Sequence, residues 1–237
     1  MNTAAARSAY EAWHLDHEVD LAVDTPWHRL LLRHIDLAHD FEDRSVMEIA
    51  CGRGGLARLL AGEARRPRRF VAADFSQAAV GKGRAVSAGV RRLTWSVTDL
   101  QAVAFRDGTF DTVVSCESIE HVERPLVALR ELCRVMRPGG RLYLTTPNYL
   151  GPLGLYRCYA RLRRRPYTEG GQPINHFMLL PRTCAWIRQA GFRVLRVDGV
   201  GHYLPWPGRA PFEWRRLEGV ASLRWLALHS LVVAERL

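Results

Sequence analysis

Val46-Met47-Glu48-Ile49-Ala50-Cys51-Gly52-Arg53-Gly54-Gly55-Leu56-Ala57 is the stretch on which the fold turns. Residues 45–50 read as a buried strand, because a short apolar run that ends on glycine suits a strand covered on both faces. Gly52-Arg53-Gly54 then turns the chain into a helix over residues 56–61. Glycines at such a mouth let the backbone bend tightly and let a ligand approach it, while the helix N-terminus offers free N–H groups. The loop alone leaves the ligand open, since Gly52, Gly54 and Ala57 also satisfy the dinucleotide pattern G-x-G-x-x-A.

On either side of this stretch, strands alternate with helices. Residues 69–73 form the next strand, and Ser76 caps a helix over 77–87. Further strands are expected at 93–97 and 112–115. A helix at 125–136 carries Leu126, Leu129, Leu132 and Val135 on one side, and Arg137-Pro138-Gly139-Gly140 closes it before a strand at 141–145. A helix at 181–190, a strand at 192–197 and an apolar run at 226–234 complete the series. Such alternation means an α/β fold with a mostly parallel sheet. No repeat or low-complexity linker interrupts it, so residues 1–237 are expected to form one domain. Two segments stand outside the pattern. Residues 1–43 read as an N-terminal helical lid, and residues 148–177 as an insertion over the acceptor site, because long connections in compact domains are usually functional.

With 237 residues, 48% hydrophobic and 24% charged, the chain can bury a sizeable core and is neither disordered nor fibrous. No apolar run reaches the roughly 18–20 residues of a membrane span. The first twenty residues mix acids, arginine and histidine and lack the pattern of a signal peptide. The five cysteines, Cys51, Cys116, Cys133, Cys158 and Cys184, include no C-x-x-C pair, which argues against a disulfide framework and for a reducing, cytoplasmic setting. The formal charge of +10 is carried almost wholly by arginine, since Lys82 is the single lysine. A basic balance permits nucleic acid, phosphorylated substrates or anionic lipid as partners but selects none of them.

Three features narrow the ligand. Glu48 lies at the carboxyl end of the first strand, before the glycines, where a cationic group is welcome and a pyrophosphate is not. Asp74 ends the second strand about 20 residues beyond the loop, the position of an acid that holds ribose hydroxyls. Asp99-Leu100 follows the third strand and offers an acceptor with apolar packing beside it. With residues 105–115 and Arg137-Pro138-Gly139-Gly140 in order after these, the chain resembles the class I S-adenosylmethionine-dependent methyltransferases from about Arg44 to Phe192. The resemblance implies a Rossmann-like, seven-stranded, mostly parallel sheet with an antiparallel last strand supplied by 226–234, and helices on both faces. It also implies S-adenosyl-L-methionine as cofactor. Glu48 would serve its methionine end, and Ala50, Gly52 and Gly54 would form the close-approach loop. Asp74 would hold the ribose, Phe75 and Leu100 would flank the adenine, Asp99 would accept from the adenine amino group, and Cys116 would be a further cofactor-binding residue. Ala50 departs from the glycine the family often has.

After the fourth strand comes Cys116-Glu117-Ser118-Ile119-Glu120-His121. No Asn/Asp-Pro-Pro-aromatic box stands there, which turns the expectation from nucleic acid to a small organic acceptor, apolar or aromatic. The segment resembles the O-methyltransferases of ubiquinone biosynthesis in its Glu-x-x-Glu-His sequence. A hydroxyl acceptor must lose its proton to a base or a metal. His121 and His176 are the candidate bases, with His202 behind them. If Glu117 opens a helix, Glu117, Glu120 and His121 share one face and could hold Mg²⁺. His14, His17, His28, His34 and His39 read as polar faces of the lid, and Tyr10 and Trp13 as its packing. Residues 150–167 put apolar and aromatic residues before an arginine run, a pattern suited to peripheral membrane contact. Transfer to nitrogen or carbon, or a dinucleotide-dependent oxidoreductase, are the alternatives.

Overall fold

The computed structural model describes residues 3–16, 23–62, 67–164, 172, 174–204 and 212–237. His17, the end of the arginine-rich segment at 165–167 and the neighbouring residues up to 171 lie outside them. The strands are β1 (Ser45–Ile49), β2 (Arg69–Asp74), β3 (Leu93–Val97), β4 (Phe110–Cys116), β5 (Met136–Pro147), β6 (Phe192–Val200), a short pair β7 (Tyr203–Leu204) and β8 (Phe212–Glu213), and β9 (His229–Arg236). Seven of them form one sheet in the order β3-β2-β1-β4-β5-β9-β6. β9 runs antiparallel to both β5 and β6, and the remaining pairs are parallel. The expected sheet and its reversed last strand are therefore present.

Every residue of β1 is buried, which is what a central parallel strand requires. Its side chains alternate between two cores. Met47 and Ile49 join Val71, Val113 and Leu144 on one face, under α5 (Pro125–Val135) and α7 (Leu180–Gln189). Val46 joins Phe70, Val114 and Tyr143 on the other, under α3 (Gly55–Gly62) and α2 (Pro26–His34). The N-terminal segment thus divides. Leu30 and Leu31 of α2 and Phe41 are fully buried, so residues 26–41 pack on the core through these side chains. Among the described residues of this segment, α1 (Thr3–Asp16) lies across the strand ends, against α4 (Gln77–Val86).

Local sequence explains the helix starts. Ser76 accepts from the Ala79 amide at 3.1 Å and caps α4, and Thr25 does the same for α2 through the His28 amide. Pro125, Pro152 and Pro181 stand in the first turns of α5, α6 (Pro152–Leu162) and α7, where no intrahelical donor is needed.

Candidate active site

The strand order reverses direction between β1 and β4, and a cavity of about 180 Å³ opens at the carboxyl ends of the strands there. In open α/β sheets this is where ligands bind. Its wall contains Ala50, Gly52, Asp74, Phe75, Asp99 and Leu100, which are six of the nine residues expected to hold the cofactor. Glu48, Gly54 and Cys116 are not part of that wall.

Asp74 is the hinge of the site. One carboxylate oxygen accepts from the Gly52 amide at 2.8 Å and the other from the Ser76 amide at 2.9 Å. Burial raises its pKa to about 6 against the pull of those amides. The carboxylate thereby ties the glycine loop to the end of β2, and each oxygen keeps a lone pair for a ligand hydroxyl. Gly52 adopts a φ of +53°, and a Cβ added there would meet only a His14 carbon at 3.8 Å. The loop is therefore open toward the cavity. Asp99 folds one oxygen back onto the Gln101 amide at 2.7 Å, which fixes the turn after β3.

Gly54 has a different reason to be glycine. A Cβ there would stand 2.2 Å from the Trp95 ring, so its hydrogen makes room for packing rather than for a ligand. Glu48 lies fully buried under the loop. Its Oε2 has no hydrogen-bond partner among the described residues, and burial first, with Asp74 nearby, raises its pKa to about 8. Cys51 and Cys116 lie in the same layer, their thiols pushed up by burial and by Glu48 and Asp74 or the neighbouring acids. A buried carboxyl with one oxygen lacking a partner beneath an open glycine loop fits a cationic ligand group, and the Asp74–Gly52 cradle fits a ribose. The residues present suit S-adenosylmethionine.

The cover of the cavity was legible only in part. Tyr10, Trp13 and His14, expected to pack or to face solvent, all line it. Tyr10 is buried, donates to the Ile174 carbonyl and meets the Phe75 ring edge-on at 5.3 Å. Their helical spacing signalled a buried face, but the sequence did not say that this face would look onto a cavity.

On the acceptor side the expected helix at Glu117 does not form. Glu117 takes a left-handed φ of +43°, and only Ile119–His121 makes a single tight turn. The three side chains consequently part. Glu117 points toward His229, and Glu120, almost fully buried, accepts from the Thr146 hydroxyl at 3.1 Å. His121 lines the cavity but donates from Nδ1 to the Ile174 carbonyl at 2.7 Å, while its Nε2 faces Glu120 at 3.6 Å. Burial pushes its pKa below the ordinary histidine value. Among the described residues no three His, Cys, Asp or Glu side chains come together as a metal site, so Glu117, Glu120 and His121 do not suit the expected Mg²⁺. His176 lies outside the cavity wall, its ring held by the Val122 carbonyl at 2.8 Å. His202 is farther away, beside the β6 edge, on the Leu223 carbonyl.

Residues 47–144 match the family described as a methyltransferase domain. The chain is 30% identical over 187 residues to a ubiquinone biosynthesis O-methyltransferase of Xanthomonas axonopodis pv. citri (strain 306), covering 77% of this chain and 74% of that protein. In structure it is similar to a chain of the complex between the Haloferax volcanii Trm112 methyltransferase activator and a methyltransferase. The TM-score is 0.70 at 20% identity, over 96% of this chain and 97% of that one. An S-adenosylmethionine-dependent methyltransferase of Mesorhizobium loti gives 0.63 at 17% identity, over 90% and 99%. Sheet order, glycine loop and relatives agree, and the oxidoreductase alternative falls away: this chain belongs to the class I S-adenosylmethionine-dependent methyltransferases.

Proposed function

We propose that the protein transfers a methyl group to the hydroxyl oxygen of a small organic acceptor. One observation carries this reading: the cavity that begins at Asp74 and Gly52 continues to Glu117 and His121, so titratable groups border the place where a methyl group would be presented. The names of the relatives support oxygen as the acceptor atom. Bound S-adenosylmethionine supplies a methyl carbon already activated on a sulfonium. Asp74 and Asp99 orient its ribose and adenine, and Phe75 and Leu100 give the ring an apolar bed. Tyr10 and Trp13 keep water from the reacting centre, which favours transfer over side reactions.

S-adenosylhomocysteine at about 100 times its Kd should stabilise the fold by roughly 2.7 kcal/mol, a rise in Tm of roughly 5–10 °C for a chain of this size. NADH should give no shift, and Asp74→Ala should abolish the shift while the domain still unfolds cooperatively. A full shift in that variant would mean that the cofactor sits elsewhere.

We also infer that α6 brings the protein to an anionic lipid surface. Leu155, Tyr159 and Leu162 are 73%, 55% and 83% exposed on its outer face, and Arg161, Arg163 and Arg164 lie beside them. Apolar side chains flanked by cations suit an interfacial helix. No described helix is long and apolar enough to cross a membrane. Co-sedimentation with phosphatidylglycerol vesicles should occur at low salt and vanish in Leu155→Ser/Leu162→Ser; absence of wild-type binding would retire the idea.

A further inference from the structure

Glu117 Oε1, His229 Nδ1 and His28 Nδ1 are buried, and none of the three has a hydrogen-bond partner among the described residues. Three elements far apart in sequence bring them into one cluster. Glu117 follows β4 and is held by the Thr145 carbonyl of β5, while His229 opens β9 opposite Pro147 of the same strand. His28 comes from the first turn of α2, beside Trp27, whose ring lies 5.0 Å from that of His229. Tyr203 of β7 meets His229 edge-on at 6.3 Å. Glu117 Oε2 and His229 Nδ1 are 3.5 Å apart, close enough to share a proton through a bridging hydroxyl and too far for a good direct bond.

A buried polar atom left unpaired destabilises the fold, and so does a non-glycine residue held at positive φ. Glu117 bears both burdens, and it also lines the cofactor cavity. Strain and unmet hydrogen bonds gathered at one residue call for a ligand that supplies the missing partners. His121 offers one nitrogen fewer, because its Nδ1 is already engaged by the Ile174 carbonyl at 2.7 Å. Burial lowers the His28 pKa, so its imidazole stands neutral beside Glu117, with Asp24 as the other acid acting on it.

Resting on the oxygen-acceptor reading above, we propose that Glu117 and His229 form the acid–base pair that binds and deprotonates the acceptor hydroxyl, with Trp27 and Tyr203 beside its ring. The acceptor O–H bond breaks and its proton passes to the pair. The oxygen lone pair forms the bond to the methyl carbon as the carbon–sulfur bond breaks, and that electron pair stays on sulfur. The proton leaves to solvent after the methyl ether departs. His229 lies more than a hundred residues from Glu117, and no motif joins them; only the antiparallel return of β9 beside β5 does.

The test uses the full chain, S-adenosylmethionine and two probes, catechol and 4-nitrocatechol, the second of which ionises without help near neutral pH. His229→Asn and Glu117→Gln should each lower kcat/KM for catechol by about 10²-fold or more, the usual worth of a general base, and for 4-nitrocatechol by less than about 10-fold. His121→Asn should affect both probes to the same degree. A preserved Tm shift with S-adenosylhomocysteine shows that each variant keeps its fold and cofactor site, and if Glu117→Gln loses it, His229→Asn carries the test. Equal losses on both probes, or none on either, overturn the pair and leave the oxygen reading standing. A wild-type enzyme that methylates neither catechol overturns the oxygen reading and the pair with it.

Discussion

Trp95 lies between two glycines. A Cβ on Gly54 or Gly83 would approach its ring to 2.2 or 2.3 Å, so the indole locks the cofactor loop, β3 and α4 together. The sequence marks Gly54 as a member of a ligand-binding loop, and the residue type is right while the reason is packing. Ala50 shows the converse. It holds a φ of +55° without being glycine, a conformation that costs an L-residue roughly 1–2 kcal/mol. The departure noted in the sequence thus carries a strain that spacing alone could not reveal. Glu48 stands near the carboxyl end of its strand as expected, and Cys116, expected just after the fourth strand, is the last residue of β4; neither is part of the cavity wall. Alternation along a strand decides which side chains look outward, and a shift in which element overlies each face redirects them without changing the motif.

At the scale of elements, the strands and the helices of the α/β alternation were legible because periodicity and caps are local, whereas the cover of the site was not. α1 is held on α4 by an exchange of end groups. Glu11 accepts from the Ala78 amide at the start of α4 at 2.8 Å, and Lys82 Nζ donates to the His14 and Leu15 carbonyls at the end of α1, each at 2.8 Å. Both contacts match the helix dipoles, negative charge at an N-terminus and positive at a C-terminus. The Arg53 guanidinium over the Trp13 ring adds a third tie, from the glycine loop itself. Since α1 supplies Tyr10, Trp13 and His14 to the cavity, the latch should be felt by the ligand. Lys82→Met, which removes a contact worth about 1 kcal/mol, should weaken S-adenosylhomocysteine binding by roughly fivefold in calorimetry and leave the far-ultraviolet dichroism unchanged. An unchanged Kd would show that α1 bears no part of the binding. No pattern in the sequence joins Glu11 to residue 78 or Lys82 to residue 14, since helix-to-helix docking is a tertiary choice.

The whole molecule registers its site as a dependence of stability on pH. Burial raises the Glu48 pKa from 4.5 to about 8 and that of Asp74 from 3.8 to about 6. A carboxyl whose folded pKa is raised binds its proton more tightly in the folded state. Its contribution is therefore full below the unfolded value and is lost as pH rises through the folded one. His28 and His121 work in the opposite sense, because their lowered pKa values favour the fold as pH rises toward the ordinary histidine value near 6.5. Between about pH 7 and 8 His28 and His121 are mostly neutral in both states and Asp74 has ionised, which leaves Glu48 to dominate the slope. In that window the ligand-free protein should lose roughly 0.5–1 kcal/mol of stability per pH unit, read from urea titrations at fixed temperature. Glu48→Gln should flatten the curve. A cationic ligand group stabilises the ionised carboxylate, so S-adenosylmethionine should bind with release of a proton from Glu48, and its Kd should tighten from pH 6.5 to 8 and level off above. A pH-independent Kd, or a slope that survives in Glu48→Gln, would place the ligand's ammonium away from Glu48 and leave that residue as a support of the loop alone.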